Sequence, residues 1–379
     1  MADKKKSEER FSFSAFHSKQ KENDPVTFKT HSALLPVFLE SVNSPAMVKH
    51  CMEIIQNLTK HLNQSQSQII ITGDQPVYAL GKQVQWMCPD QFKDVLWMMG
   101  PLHIEMAFLD AIGNWYDGSG LTDVFERAKV QTTGRIESFL KGTKVKRTGY
   151  AHQVSLASLY HLPMLSFQNQ SVIKDYGKWK AARRKESATA DFWFTAIELE
   201  TLYFLFIKAI READFDFFLQ CLKVMMPWFF ALDHTHYSRW LSVFVQDLSN
   251  LKFQGNNTYD AFKKGFFTVR KSNRVFSNIG IDQVHEQNNK VLKTDDGVIG
   301  ILDNPKALLK WAVSGPVIAE MLSEEDDYMS EKHHEDTESF EETFRKDRSA
   351  FIASLQEYGN PFEEAGKEPG AFDFTTRFG

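Results

Sequence analysis

Apolar positions recur at intervals of three and four from Pro45 onward, where Met47, Cys51, Ile54, Ile55 and Leu58 predict a helix with one buried face. Ser44, just before Pro45, supplies a start signal. The pattern then changes. In "SQIIITGDQPVYALGKQVQW", residues 67 to 86, the β-branched run Ile69, Ile70 and Ile71 lies between polar residues and Gly73, which predicts a short strand buried on both faces. Asp74 stands at its carboxyl end, both as a helix cap and as a candidate site acid, and Tyr78, Leu80, Val84 and Trp86 predict the helix that follows. "DVLWMMGPLHIEMAFLDAIGNW" repeats this order, with Val95 to Met99 as a second strand and Leu102, Met106, Leu109 and Ile112 as the apolar stripe of a second helix. Strand, helix, strand, helix is an α/β signature with parallel strands, and sites in such sheets gather at the carboxyl ends.

Farther along, "TADFWFTAIELETLYFLFIKAIREADFDFFLQCLKVMMPWFFALDHTHYSRWLSVFVQDL" reads as three helices broken near Asp214 and Asp233. Large aromatics at helical spacing are core residues before they are anything else. Asp233, His234 and His236 cluster in the second break, where a metal chelate and simple helix capping by Asp233 compete. Phe266 to Val269 suggests a short strand, and "DQVHEQNNKVLK" a helix with Glu286 and Lys290 one turn apart. Asn288 and Asn289 beside that carboxylate hint at a polar site, because asparagine is a poor interior helix former. The stretch from Ser323 to Glu342 is acidic and too poor in apolar residues to pack.

With 379 residues and 42% hydrophobic content the chain has ample material for a core. A net charge of −5 advertises no polyionic partner, so the local distribution of charge matters more. Between Phe139 and Glu186, Lys141, Lys144, Lys146, Arg147, Lys174, Lys178, Lys180, Arg183, Arg184 and Lys185 are opposed by Asp175 alone. A nucleic-acid backbone would be drawn to such a segment, with Tyr150, Tyr160, Tyr176 and Trp179 available to stack on bases; a solvated basic face is the plainer reading. Three cysteines, Cys51, Cys88 and Cys221, argue against a disulfide framework. The amino terminus has basic residues but no apolar run behind them, and the greasiest tract, "VMMPWFFAL", falls far short of the roughly 20 residues that cross a bilayer. These features predict no membrane partner and a nuclear or cytoplasmic, not secreted, location.

Four blocks, "TGDQPVYALGKQVQW", "MGPLHIEMAFLDAIGNWYDGSG", "PWFFALDHTHYSRW" and "VHEQNNK", resemble in this order a eukaryotic domain family of unknown function that occurs in multi-copy, transposon-like genes. The resemblance runs from about Leu34 to Met321. That family is in turn remotely similar to transposases with a ribonuclease H-like core. The resemblance implies an α-rich α/β fold: a ribonuclease H-like core sheet with a large, mainly helical insertion at about 123–271, which includes the basic segment 139–186. The whole domain would span 34–322, between a disordered leader at 1–33 and an acidic, largely disordered tail at 323–379. It implies DNA as a partner and three catalytic residues. These are Asp74, His103 in "GPLHIEM", which resembles a stretch of the Kyakuja, Dileera and Zisupton transposases, and Glu286 as the late helical acid. Asp74 and Glu286 would hold Mg²⁺ or Mn²⁺, since hard cations prefer carboxylate oxygen and two ions about 3.5–4 Å apart can drive strand cleavage.

Such a site needs at least three acids. The upstream Asp-Asn-x-Asp segment of fuller relatives has no match here beyond "KENDP" at 21 to 25, which leaves Glu105 or Asp110 to serve. Two alternatives therefore stand beside the catalytic reading: a remnant that binds nucleic acid or protein without cutting, and a metal-dependent hydrolase built on His103, His234, His236, His285 and Glu286.

Overall fold

The computed structural model describes residues 12–21, 23, 29–30, 43–62, 68–254, 257–292, 304–315, 317 and 337–363. In chain order these form α1 (Phe13–Gln20), α2 (Pro45–Leu62), β1 (Ile69–Gly73), α3 (Gln75–Met87), β2 (Val95–Met99) and α4 (Pro101–Tyr116). There follow α5 (Leu121–Arg127), α6 (Thr133–Leu140), α7 (Val145–Leu159), α8 (His161–Asn169), α9 (Tyr176–Glu186) and α10 (Ala188–Arg211). The series continues with α11 (Phe215–Ala231), α12 (Thr235–Asn250), α13 (Thr258–Lys263) and α14 (Ile281–Leu292), then a helical stretch at 305–315 and α15 (Glu338–Glu357). The chain is rich in helix and carries one small parallel sheet. Two compact units share it: a strand unit of residues 23–105 and 206–331, and a helical unit of residues 1–22, 106–205 and 332–379.

In the strand unit β1 and β2 pair in parallel, from Ile69 opposite Val95 to Gly73 opposite Met99. Every residue of β2 is buried, as a strand covered on both faces requires. Trp97 lies under α3 at Gly81, where a Cβ would come within 2.2 Å of the indole, so only glycine lets the helix approach. Tyr78 of α3 is fully buried and meets Trp240 and Phe244 of α12 edge-on. On α2 the fully buried row is Val48, Met52 and Gln56, one turn apart; the expected row from Met47 to Leu58 is only half-buried. Gln56 is accommodated because its amide donates to the Gln91 carbonyl at 2.9 Å.

The sheet among the described residues has these two strands. The short strand expected at Phe266–Val269 reduces to one antiparallel bridge, Val269 with Ile279, because residues 264–267 are turns. Helix breaks fall where expected: α10 ends at Arg211 and Asp214 caps α11 by accepting from Phe217 N at 3.0 Å.

The helical unit corrects the expectations for both chain ends. Phe344, Phe351 and Leu355 of α15 are buried, and Phe351 packs 4.7 Å from Phe125 of α5, centroid to centroid. Acids outnumber apolar residues in the tail, which predicts no packing, yet its few aromatics recur one or two turns apart and complete a core supplied by distant helices. The leader contributes as well: Ser12 is buried and both its amide and hydroxyl donate to the buried Glu341 carboxylate. Residues 1–11, 31–42, 318–336 and 364–379, which hold the remainder of the expected leader and tail and the expected start near Leu34, lie outside the described residues. At the centre of the unit His152 of α7 and Glu200 of α10 form a fully buried pair, Nδ1 to Oε1 2.8 Å, and Tyr116 and Ser155 face the same carboxylate.

Candidate functional site at the carboxyl ends of the strands

β1 ends at Gly73 and β2 at Met99, tied together by Gly100 N donating to the Gly73 carbonyl at 2.9 Å. Helices start immediately after both strands, which brings their first turns to one edge of the sheet. Asp74 caps α3: its Oδ1 accepts from Val77 N at 3.1 Å, and Pro76 fits the first turn. The capping role expected from "GDQP" is therefore real.

At the start of α4 the cap comes from elsewhere in the chain. Asp282, in the first turn of α14 and nearly buried, presents Oδ1 to Leu102 N at 3.1 Å and Oδ2 to His103 N at 3.1 Å. The same Oδ2 lies 2.9 Å from His103 Nδ1. This carboxylate occupies the space over Gly100, where a Cβ would meet Oδ2 at 2.2 Å. Tyr237 of α12 closes the arrangement by donating its hydroxyl to the His103 carbonyl at 3.0 Å.

The electrostatics follow from this packing. The hydrogen bond from Asp282 lifts the His103 imidazole above its ordinary value, burial opposes the lift, and the charges of Asp282, Asp74 and Glu286 add to it. Burial, then the charges of Asp74 and Asp282, push the Tyr237 phenol up. Asp74 and Glu286, far apart in the sequence, therefore both act on the His103 imidazole. Asp282 and Tyr237 are the members that sequence reasoning missed. The acid of "NIGIDQ" reads as a local first-turn residue of its own helix, although Gly280, where a Cβ would press on Asp282 Oδ1 at 2.7 Å, is crowded by it as Gly100 is.

The side chains do not fit a pair of Mg²⁺ or Mn²⁺ ions. Asp282 would be the third acid, but Oδ1 already serves Leu102 N and Gln283 N, and Oδ2 serves the backbone and ring of His103. Among the described residues no group of three or more His, Cys, Asp or Glu is placed to hold a metal ion. The cation that the carboxylates surround is the imidazole itself when protonated.

The histidines expected of a metal-dependent hydrolase form no metal-holding group among the described residues. His236 and His285 are exposed, and His234 packs edge-on against Phe229 at 5.8 Å. Asp233 does not cap α12; it takes a left-handed φ of 57° and His234 occupies the cap position. Glu105 is buried on α4, and Asp110 acts on Lys141. The expected partner of Glu286, Lys290, has a side chain outside the described ones.

Four of the ten basic residues in the segment are committed to its own unit. Arg184 bonds Asp191 at 2.5 Å, Glu198 at 2.8 Å and Thr195 at 2.7 Å, and Lys180 joins it on Glu198 at 2.7 Å. Buried Arg183 bonds Glu186 and the Glu363 carbonyl, and Lys141 bonds Glu137. Of the four rings expected to stack on bases, Trp179 is core at 5% exposed, Tyr176 packs on Phe167 and Tyr150 packs on Phe340 while donating to Asp347, both half-buried, and Tyr160 is exposed. Lys144, Lys146, Arg147, Lys174, Lys178 and Lys185 are exposed and form no ion pair among the described residues.

Among the described residues no helix is long and apolar enough to cross a membrane. No curated protein and no solved structure matches the chain. One family model does, over residues 12–178 and 169–368, which takes in both units and the α15 region; the match carries no link to transposases or to ribonuclease H-like folds. The chain belongs to the family described as a domain of unknown function, DUF8702.

Proposed function

We propose that this protein is a transposase-derived, nucleic-acid-related module that does not cut, in which the strand-end cluster has become a metal-free polar centre. The β1–α3–β2 unit is read here as part of a ribonuclease H-like sheet. The observation that carries the loss of cleavage is the Asp282 carboxylate, whose two oxygens face four N–H groups where a metal centre would need free lone pairs. Three carboxylates against one imidazolium would also repel a phosphodiester. Nucleic acid is therefore assigned to the exposed lysines and Arg147, not to the cluster. The test is a DNA-binding titration over a salt series. A falling log K against log salt, flattened by the triple change Lys144→Glu, Lys146→Glu and Arg147→Glu, supports the module; a flat line in the unaltered protein leaves a protein-binding remnant.

A second reading rests on a specific feature of His103. Its Nδ1 is held by Asp282, its side chain is 29% exposed, and Nε2 has no partner among the described residues. An imidazole oriented this way can take a proton at Nε2 while the carboxylate stabilises the imidazolium. Hydrolysis of p-nitrophenyl acetate that survives EDTA and disappears in His103→Gln would favour this metal-free acid–base role.

A further inference from the structure

At the amino ends of the same two strands the unit opens a cleft of about 380 Å³, a size that suits a small ligand. Its wall is mostly polar. Lys82 and Lys93 line it with Asp94 and Asp247, so two positive side chains face two negative ones. Lys82 is the unusual member: its side chain is only 8% exposed, and its Nζ lies 2.9 Å from both Asp247 Oδ2 and Gln85 Oε1. An ammonium has three N–H donors, and these two acceptors use two. Trp97 also lines the cleft with its buried ring.

The plain reading is a strut: Lys82 and Asp247 fasten α3 to α12. That accounts for the ion pair but not for the adjoining cleft, where Lys93 and Asp94 add a second pair of opposite charges. A balanced set of charges disfavours a polyanion such as a phosphate ester, and the polar wall disfavours an apolar guest. A small molecule carrying both signs answers all of these features.

We infer that this cleft binds a free amino acid or a similar small zwitterion. The ligand carboxylate accepts from the Lys82 and Lys93 ammonium groups, and its ammonium donates to Asp94 and to the Asp247 carboxylate. The site lies at the other end of the strands from His103 and does not depend on that centre.

Calorimetric titration of the full chain with each of the free L-amino acids tests the assignment, with acetate and methylammonium as half-ligand controls. At least one amino acid should bind saturably, and neither control should. Lys93→Ala and Asp94→Asn, both outside the buried core, should each weaken binding at least about tenfold without changing the melting temperature of the unliganded protein. Lys82→Met should abolish binding. No saturable binding by any amino acid, or binding that is indifferent to both Lys93→Ala and Asp94→Asn, overturns the inference.

Discussion

Asp282 Oδ2 sits 2.9 Å from His103 Nδ1 and 3.1 Å from the same residue's backbone amide, so one carboxylate from α14 fixes both the start of α4 and the orientation of its imidazole. This is a helix cap supplied from across the unit, and it couples a structural role to a titrating one. Stability should therefore depend on the protonation of His103. Since Asp282 raises the folded imidazole value, the stabilisation is complete below the ordinary histidine value of about 6.5 and is lost as pH rises through the folded value. Urea unfolding of the protein and of His103→Gln from pH 5 to 9 should show the advantage of histidine shrinking toward alkaline pH. A gap that stays constant across the range contradicts the ion pair.

Gly100 has no room for a side chain because Asp282 fills it. Gly100→Ala should cost about 1–3 kcal/mol through overpacking. Adding Asp282→Ala should make the second change cheaper than it is alone, and strict additivity in the double-mutant cycle would mean that the two positions do not press on each other.

Asp74 separates capping from metal chemistry by substitution. Asparagine caps helices nearly as well as aspartate, so Asp74→Asn should leave thermal stability almost unchanged, whereas Asp74→Ala should lose about 1 kcal/mol. Equal losses from both would point to the charge of Asp74, not its cap.

Within the helical unit the buried His152–Glu200 pair carries a different prediction. Glu200→Leu alone leaves a buried imidazole without its partner and should cost about 3–5 kcal/mol, while the joint change with His152→Leu should recover much of that loss. Denaturant midpoints of the single and double variants decide it; a double variant no better than the single one shows that the pair stabilises the fold outright.

Much of the strand unit was readable from the chain. The isoleucine run and the apolar run from Val95 to Met99 fix both strands, because short β-branched or fully apolar runs beside glycine have few other uses. The carboxyl-end rule then points to Asp74 and His103, and the late helix carries Glu286, whose charge acts on His103. Asp282 stayed hidden because its partner groups, the amides of Leu102 and His103, have no sequence signature and meet it only after folding. Part of the basic segment is neutralised for a related reason. Composition counts Arg184 and Lys180 as free charge, whereas Asp191 and Glu198, just outside the counted stretch, lie on the next helix in position to neutralise them. Tyr150 and Trp179 looked available for stacking because nothing local says that Phe344 and Phe194 will cover them.

The central claim is that His103, rather than a metal ion, is the cation of the strand-end cluster. Calorimetric titration of Mg²⁺ and of Mn²⁺ into the protein and into Asp74→Asn tests it most directly. The account predicts no saturable binding of either ion that depends on Asp74. Stoichiometric binding in the unaltered protein that vanishes in Asp74→Asn would contradict it and restore a metal-dependent site.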